Sequence, residues 1–410
     1  MSERILFIAH RIPYPPNKGD KIRSYNILRY LAGKHDIDLF FLIDDHRDLD
    51  VIDELRPLVS TCCFDVIHPR RKKLISGFSL LGTKPLSVPY FYSRKLQMAI
   101  DEQIGKKEFD HVFCFSSPTA EYVFQSRYYK TKLRNASLIM DLIDLDSLKW
   151  SQYAESARWP MRAIYQREAR QLLAYEQRIA DEFDELLLVS EAERKLFQQH
   201  VKKGHVSAMN NGVDLEKFAP GRGTPFRTSV PLIVFTGAMD YWPNIDGVVW
   251  FVNDVLPLVR KKIADVKFII VGSNPAPAVK ALAKNNEVEV TGFVDDVRDY
   301  IAGADLCVVP LRVARGIQNK VLEAMAMGKA VVSSPDALEG ISAETGRDIV
   351  TAPDAHSFSR EIIRLLADEK ERDFLGQNAR KCMEVNYSWE RKLHLLDTLL
   401  GKGKSAGQSF

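Results

Sequence analysis

The chain is poor in several things that would have given its role away. Five cysteines occur in 410 residues: Cys62, Cys63, Cys114, Cys307 and Cys382. The number is odd and no C-x-x-C pair is present, which argues against a disulfide framework and a zinc site and for reduced thiols in a cytoplasmic protein. No apolar run approaches the ~20 residues of a membrane span, so membrane contact is expected only at the inner face of the cytoplasmic membrane, as a peripheral attachment. Excess charge is missing too. Lys and Arg number 57 against 54 for Asp and Glu, a net +3 that does not call for nucleic acid as a partner. No G-x-G-x-x-G follows the first strand of either half, and neither G-x-S-x-G nor H-E-x-x-H occurs. Dinucleotide dehydrogenases, serine hydrolases of the nucleophile-elbow type and zinc proteases are thereby disfavoured. The first strand, starting at Arg4, stands where a signal peptide would.

What is present alternates. Ile5-Leu6-Phe7-Ile8-Ala9 is a continuous apolar run, the mark of a parallel strand covered on both faces. Further strands are expected at 37–43, 61–67, 112–115, 137–142, 186–189 and 206–209, with one long helical stretch over 148–182. Pro220-Gly221-Arg222-Gly223-Thr224-Pro225 reads as a linker. The alternation then restarts, with strands at 232–235, 266–271, 288–291, 305–310 and 330–333. The expectation is an α/β chain of two Rossmann-like, doubly wound parallel-sheet domains facing across a cleft, residues 1–218 and 219–385. Residues 386–410 form a C-terminal helix packing back towards the first domain, then a frayed tail. In such sheets ligands bind at the carboxyl ends of the strands.

The densest functional signal is Arg315-Gly316-Ile317-Gln318-Asn319-Lys320-Val321-Leu322-Glu323, between two apolar runs. Gly316 allows a ligand to approach bare backbone. The helix that follows offers unpaired N–H groups suited to phosphate, with Lys320 in its first turn. Glu323 lies three residues on, on the same face. A diphosphate joined to a ribose fits that order; a capped helix with a solvent-facing Lys/Glu pair fits it as well.

In the first half, the proline-rich loop after the first strand ends in Gly19, Asp20 and Arg23, with Arg23 as a cation for the crevice. Ser116 ends another strand. Asp144-x-Asp146 ends a third and leaves several uses open: a metal against a diphosphate, a general base, a sugar-hydroxyl ligand, or a helix cap at Asp146 or Ser147. Arg70-Arg71-Lys72-Lys73, near Tyr90-Phe91-Tyr92, is a basic run beside aromatics that suits either an anionic membrane surface or a solvated loop.

These residues carry a resemblance. Asn211-Gly212-Val213-Asp214 with Phe218 and Pro220, Phe235-Thr236-Gly237, Thr291-Gly292-Phe293-Val294 and Lys320 to Gly328 together resemble the retaining glycosyltransferases of the family-4 type, which have the GT-B fold. Asp144-Leu145-Asp146-Ser147-Leu148-Lys149-Trp150 is similar to the branch tied to exosortase-associated exopolysaccharide loci. The resemblance implies a nucleotide-sugar donor, most simply a UDP-sugar, a saccharide or lipid-linked acceptor, and no obligatory cofactor or metal. It implies that Glu323 holds the donor ribose, Val294 the base through its backbone, and Gly237, Gly316, Ile317 and Lys320 the diphosphate. Arg315, Lys320 and Asp144 become the catalytic candidates, with Gly19, Asp20, Arg23, Ser116 and Asp146 on the acceptor side. Three departures stand out. Arg315 replaces a glutamate that often contacts the donor sugar, Pro243-Asn244 stands where a diphosphate-clamping lysine is usual, and Ile143 stands where a histidine is frequent. A nucleotide-sugar epimerase of the same fold and a non-catalytic nucleotide-sugar-binding subunit of a polysaccharide assembly complex are the other readings of the same residues.

Overall fold

A computed structural model describes residues 2–69, 72, 76, 77, 80, 82–225, 228–314 and 316–401. Two compact units are present: residues up to Asn210 together with those from Leu393, and Asn211–Lys392.

The first unit is a seven-stranded parallel sheet, β1 (Arg4–Ala9), β2 (Asp36–Ile43), β3 (Thr61–Val66), β4 (His111–Phe115), β5 (Ser137–Ile143), β6 (Glu185–Leu188) and β7 (Val206–Ala208), in the order β3-β2-β1-β4-β5-β6-β7. Its central strands are apolar throughout because helices cover both faces; Ile5 to Ala9 are fully buried. The second unit has six parallel strands: β8 (Leu232–Thr236), β9 (Lys267–Val271), β10 (Val288–Gly292), β11 (Leu306–Val309), β12 (Val331–Ser333) and β13 (Val350–Thr351), in the order β10-β9-β8-β11-β12-β13. These are the two doubly wound parallel sheets that the alternation predicts. In each unit the strand order turns back at one place, between β1 and β4 and between β8 and β11. The loops that leave those strands diverge and open a crevice for ligands.

The long helix expected over 148–182 is two helices. After α1 (Gly19–Ala32), α2 spans Asp146–Ser156 and α3 spans Met161–Glu182. Pro160 has no N–H to give to a helical ladder and crowds the preceding turn, so the helix ends before it. The expected cap at Asp146 or Ser147 is also corrected. The α2 N-terminus is capped from other helices: Glu176 on α3 accepts from the Ser147 N–H (3.1 Å) and Oγ (2.6 Å), and Glu193 accepts from the Leu145 N–H (3.1 Å). Glu193 lies on α4 (Glu191–His200), whose own start Ser190 caps as the sequence suggests. Burial among apolar side chains pushes the Glu176 carboxyl up to about 8. The two-residue strand β13 had no readable signal. The glycine- and proline-rich 220–225 stretch belongs to the second unit, where the Thr224 N–H donates to Asp299 at 2.5 Å.

The remaining helices that matter are α5 (Trp242–Trp250), α6 (Asn319–Ala326) and α7 (Trp389–Gly401). The distal part of α7 joins the first unit. There Asp397 accepts from Tyr30 Oη (2.7 Å) and Lys34 Nζ (2.8 Å) on and beside α1. Among the described residues, no helix is long and apolar enough to cross a membrane.

Candidate active site

In the second unit the turning point between β8 and β11 gathers the loops that the sequence singled out. Gly237 follows β8, and a Cβ there would lie 2.8 Å from Asn244 Nδ2 and 3.3 Å from Lys320 Cε. At Gly272, after β9, a Cβ would fall 1.7 Å from the Gly237 carbonyl oxygen. The two loops therefore touch backbone to backbone, and only glycine permits it. After β11 the chain passes Gly316, whose φ of 65° lies in the left-handed region, and enters α6. No side chain caps α6. The Gln318 amide instead donates back to the Gly316 carbonyl at 3.1 Å, and the Val321 N–H donates to the Gln318 carbonyl at 2.9 Å; the N-terminal end of such a helix suits an anionic ligand.

Lys320 and Glu323 are not solvent-facing; both are half-buried. Lys320 Nζ donates to Asn244 Oδ1 at 2.5 Å and sits 4.9 Å from the Phe235 ring centre. Asn244 Nδ2 is in turn fixed on the Ala238 carbonyl at 2.8 Å, and the residue is buried. Burial lowers the Lys320 ammonium to about 7, with Glu323 acting against the shift. Burial likewise raises the Glu323 carboxyl to about 7, opposed by Lys217 and Lys320. Among the described residues nothing hydrogen-bonds to the Glu323 carboxylate. A half-buried carboxylate without a protein donor is open to accept from paired ligand hydroxyls. Ile317 is buried. Gly292, at the end of β10, has a φ of 73° and turns the chain so that Phe293 is exposed and Val294 half-buried beside the core. Arg315 lies outside the described residues.

In the first unit the carboxyl ends of β2, β1, β4 and β5 carry a continuous row of polar groups. Asp20, expected as an open acceptor ligand, is engaged: His10 Nε2 lies 3.4 Å and Arg11 3.3 Å from its Oδ2, and Arg11 also donates to Asp44 at 2.8 Å. Burial opposes ionisation of Asp20, yet His10 and Arg11 hold its carboxyl well below the usual range. Gly19 is simply the first residue of α1. Ser116 and Ile143, at the ends of β4 and β5, both adopt positive φ, 75° and 70°. Non-glycine residues rarely do so, and such strain collects at functional sites. Ser116 N–H donates to the Asp141 carbonyl (2.8 Å), and Ile143 N–H to Asp141 Oδ1 (3.0 Å) in a bulge where the register with β6 slips. The bulge turns Asp144 out of the sheet, half-exposed.

Arg23 corrects the expectation most sharply. It is fully buried, with Nε on Asp141 Oδ2 at 2.7 Å and a second nitrogen on the Met209 carbonyl at 2.6 Å. It is a structural cation under the site rather than one offered to a ligand. Asp144 and Asp146 do share a cation, and it is Lys149 Nζ, at 2.6 and 3.4 Å. A divalent ion would have to displace that ammonium. Among the described residues no group of three or more His, Cys, Asp or Glu is placed to hold a metal. Of the basic run 70–73 only Lys72 is described; it turns inward to the carbonyls of Pro89 (3.3 Å) and Tyr92, so it faces no membrane.

His10 and the role of Asn244 are findings of the structure. His10 had no motif around it. Asn244 had one sign, its place at the start of a helix directly after a strand and a glycine. Glu176 gives no sign of its role in the sequence, where it only offsets nearby arginines; that it shares one buried helical face with Glu168, Leu172, Tyr175 and Ile179 is a finding of the structure.

Comparison with known proteins fits this geometry. Residues 230–368, which include Gly237, Asn244, Lys320 and Glu323, match the family model described as Glycosyl transferases group 1. The lipopolysaccharide 1,2-N-acetylglucosaminetransferase of Salmonella typhimurium is 23% identical over 239 residues, 53% of this chain and 62% of that one. Among solved structures, sucrose-phosphate synthase from Thermosynechococcus elongatus superposes with a TM-score of 0.74 at 20% identity, over 99% of this chain and 100% of that one. Anabaena HepE in complex with UDP and glucose gives 0.66 at 14% identity, over 98% and 100%. The chain is a glycosyltransferase with the GT-B fold, and its residues 230–368 match the group 1 glycosyltransferase model.

Proposed function

We propose that the enzyme moves a sugar from a UDP-sugar to a saccharide or lipid-linked saccharide acceptor, with retention at the anomeric carbon, in exopolysaccharide or cell-envelope glycan synthesis. The observation that carries this reading is the order along one helix without a side-chain cap: its N-terminal end, then Lys320, then a Glu323 carboxylate with no donor among the described residues. The N–H groups and Lys320 take the diphosphate, where negative charge grows as the bond to the anomeric carbon breaks. Glu323 takes the two ribose hydroxyls, and the Val294 backbone the base. Asp144 and Asp146 receive the acceptor on the first unit, with Ser116 beside them. No obligatory metal or other cofactor takes part, because Lys320 neutralises the leaving group and Lys149 already occupies the Asp144–Asp146 pair. UDP as the donor's nucleotide is supported by the likeness to HepE, crystallised with UDP and glucose.

Titration calorimetry with UDP, GDP, ADP and NAD tests the donor class. UDP should bind in the micromolar range, and Glu323→Ala should weaken it by about 10- to 100-fold, the loss of hydrogen bonds to a charged acceptor. Absence of binding by all four nucleotides would defeat the reading.

The pH profile supplies a second test. The diphosphate needs Lys320 charged, which fails as pH rises through about 7; the ribose needs Glu323 ionised, which fails as pH falls through about 7. UDP affinity should therefore pass through a maximum near pH 7. Glu323→Gln should remove the acid limb down to the phosphate's own titration near ~6, and Lys320→Met the alkaline limb. Profiles unchanged in both variants would take these two groups out of the site.

A further inference from the structure

The turn that Pro160 forces between α2 and α3 carries an exposed apolar tip. Trp159 is 83% exposed, more than any other large hydrophobic residue among those described, and Met161 is exposed beside it. Arg158 and Arg162 flank them, both exposed. Neither makes an ion pair among the described residues, whereas Arg167, further along α3, pairs with Glu168. Between Ser147 and Gln166 the only acidic residue is Glu155, against Lys149, Arg158 and Arg162. The turn is built rather than loose. The Arg162 N–H closes on the Arg158 carbonyl at 3.0 Å. Behind it Trp150, Tyr153 and Tyr165 form a braced cluster with ring centres 5.3 to 6.2 Å apart.

A rigid tip that leaves an indole in water keeps apolar area for something else to bury. Residues 158–163 are all exposed, so the tip is convex, whereas saccharides and small ligands are held in concave sites. Tryptophan favours the boundary between lipid tails and head groups, and unpaired arginines are attracted to anionic lipids. We propose that the α2–α3 turn docks on an anionic lipid surface, with Trp159 and Met161 entering the interface and Arg158 and Arg162 meeting lipid phosphates. The inference stands apart from the donor reading. It does place the acceptor edge usefully: α2 begins at Asp146, and its 11 residues set the turn roughly 16 Å from Asp144.

The test is co-sedimentation of the full chain with vesicles of phosphatidylcholine alone and of phosphatidylcholine with about a third phosphatidylglycerol, at low and high salt. The wild type should bind the anionic vesicles, far less the neutral ones, and be released by salt. Arg158→Gln with Arg162→Gln should lower the partition by about 25-fold, fivefold for each arginine. Trp159→Ala should lower it by about fivefold or more, with its melting temperature and UDP affinity unchanged. No binding by the wild type, or equal binding by Trp159→Ala, would overturn the proposal. Self-association without vesicles that disappears in Trp159→Ala would overturn it too, and would assign the tip to a second copy of the chain.

Discussion

Lys320→Ala should lower sugar-transfer turnover by about 10²- to 10³-fold, the usual loss when one preorganised donor to a developing negative charge is removed. The side chain is held for this: its ammonium is fixed on Asn244 Oδ1 at 2.5 Å, over the face of Phe235, at the end of a helix without a side-chain cap. Gly237 leaves the room through which it reaches. The effect should fall on kcat more than on KM, because the charge it meets is larger in the transition state than in the bound donor. Asn244 acts through Lys320 and is a positioning residue. Asn244→Ala should cost about tenfold. Asn244→Asp should return a partner to the ammonium and strengthen its charge, moving the alkaline limb of the UDP-affinity profile to higher pH. Measured steady-state rates of Lys320→Ala within about threefold of wild type would refute the leaving-group role. Wild-type behaviour of both Asn244 variants, beside an impaired Lys320→Ala, would refute only the positioning role.

Arg23→Met should destabilise the first unit by about 3–5 kcal/mol, the loss expected when one partner of a buried ion pair is removed and the other stays. Its melting temperature should drop by roughly 10 °C for a unit of this size. Asp141, fully buried, would remain without its cation. The sign of the pH dependence is fixed by Asp141. Burial already raises its carboxyl above the ordinary value, against the pull of Arg23. Without Arg23 the folded value rises further. A raised acid contributes stability at low pH that is lost as pH climbs through its folded value. The gap between variant and wild type should thus narrow towards acid and widen towards neutrality. Thermal melts at about pH 4 and pH 7 decide it; a gap below ~1 kcal/mol, or one independent of pH, would mean that the pair does not carry the fold. Because Asp141 also holds the Ile143 bulge, Asp141→Leu in the Arg23→Met background should restore stability without restoring the turn that presents Asp144.

The sheets, their parallel pairing and the two-unit α/β plan were readable in advance, because strands covered on both faces must be apolar along their length, as Ile5 to Ala9 and Ile233 to Phe235 are. The α6 helix with Lys320 and Glu323 was readable for a similar reason: glycine, cation and carboxylate are spaced by one helical turn, so local geometry alone brings them together. Other features depended on contacts between residues far apart in the chain. Arg23 and Asp141 are 118 residues apart, and Lys320 and Asn244 are 76 apart. No periodicity marks such pairs, so Arg23 looked like a free cation until burial turned it into a brace. The break at Pro160 was visible in one residue, but whether its turn lay in the core or in water was not. By itself the sequence determined the type of most segments, since side-chain spacing and backbone preference act over a few residues. Only the tertiary structure decided which charges stay open to a ligand, because that depends on what distant segment each charged group is buried against.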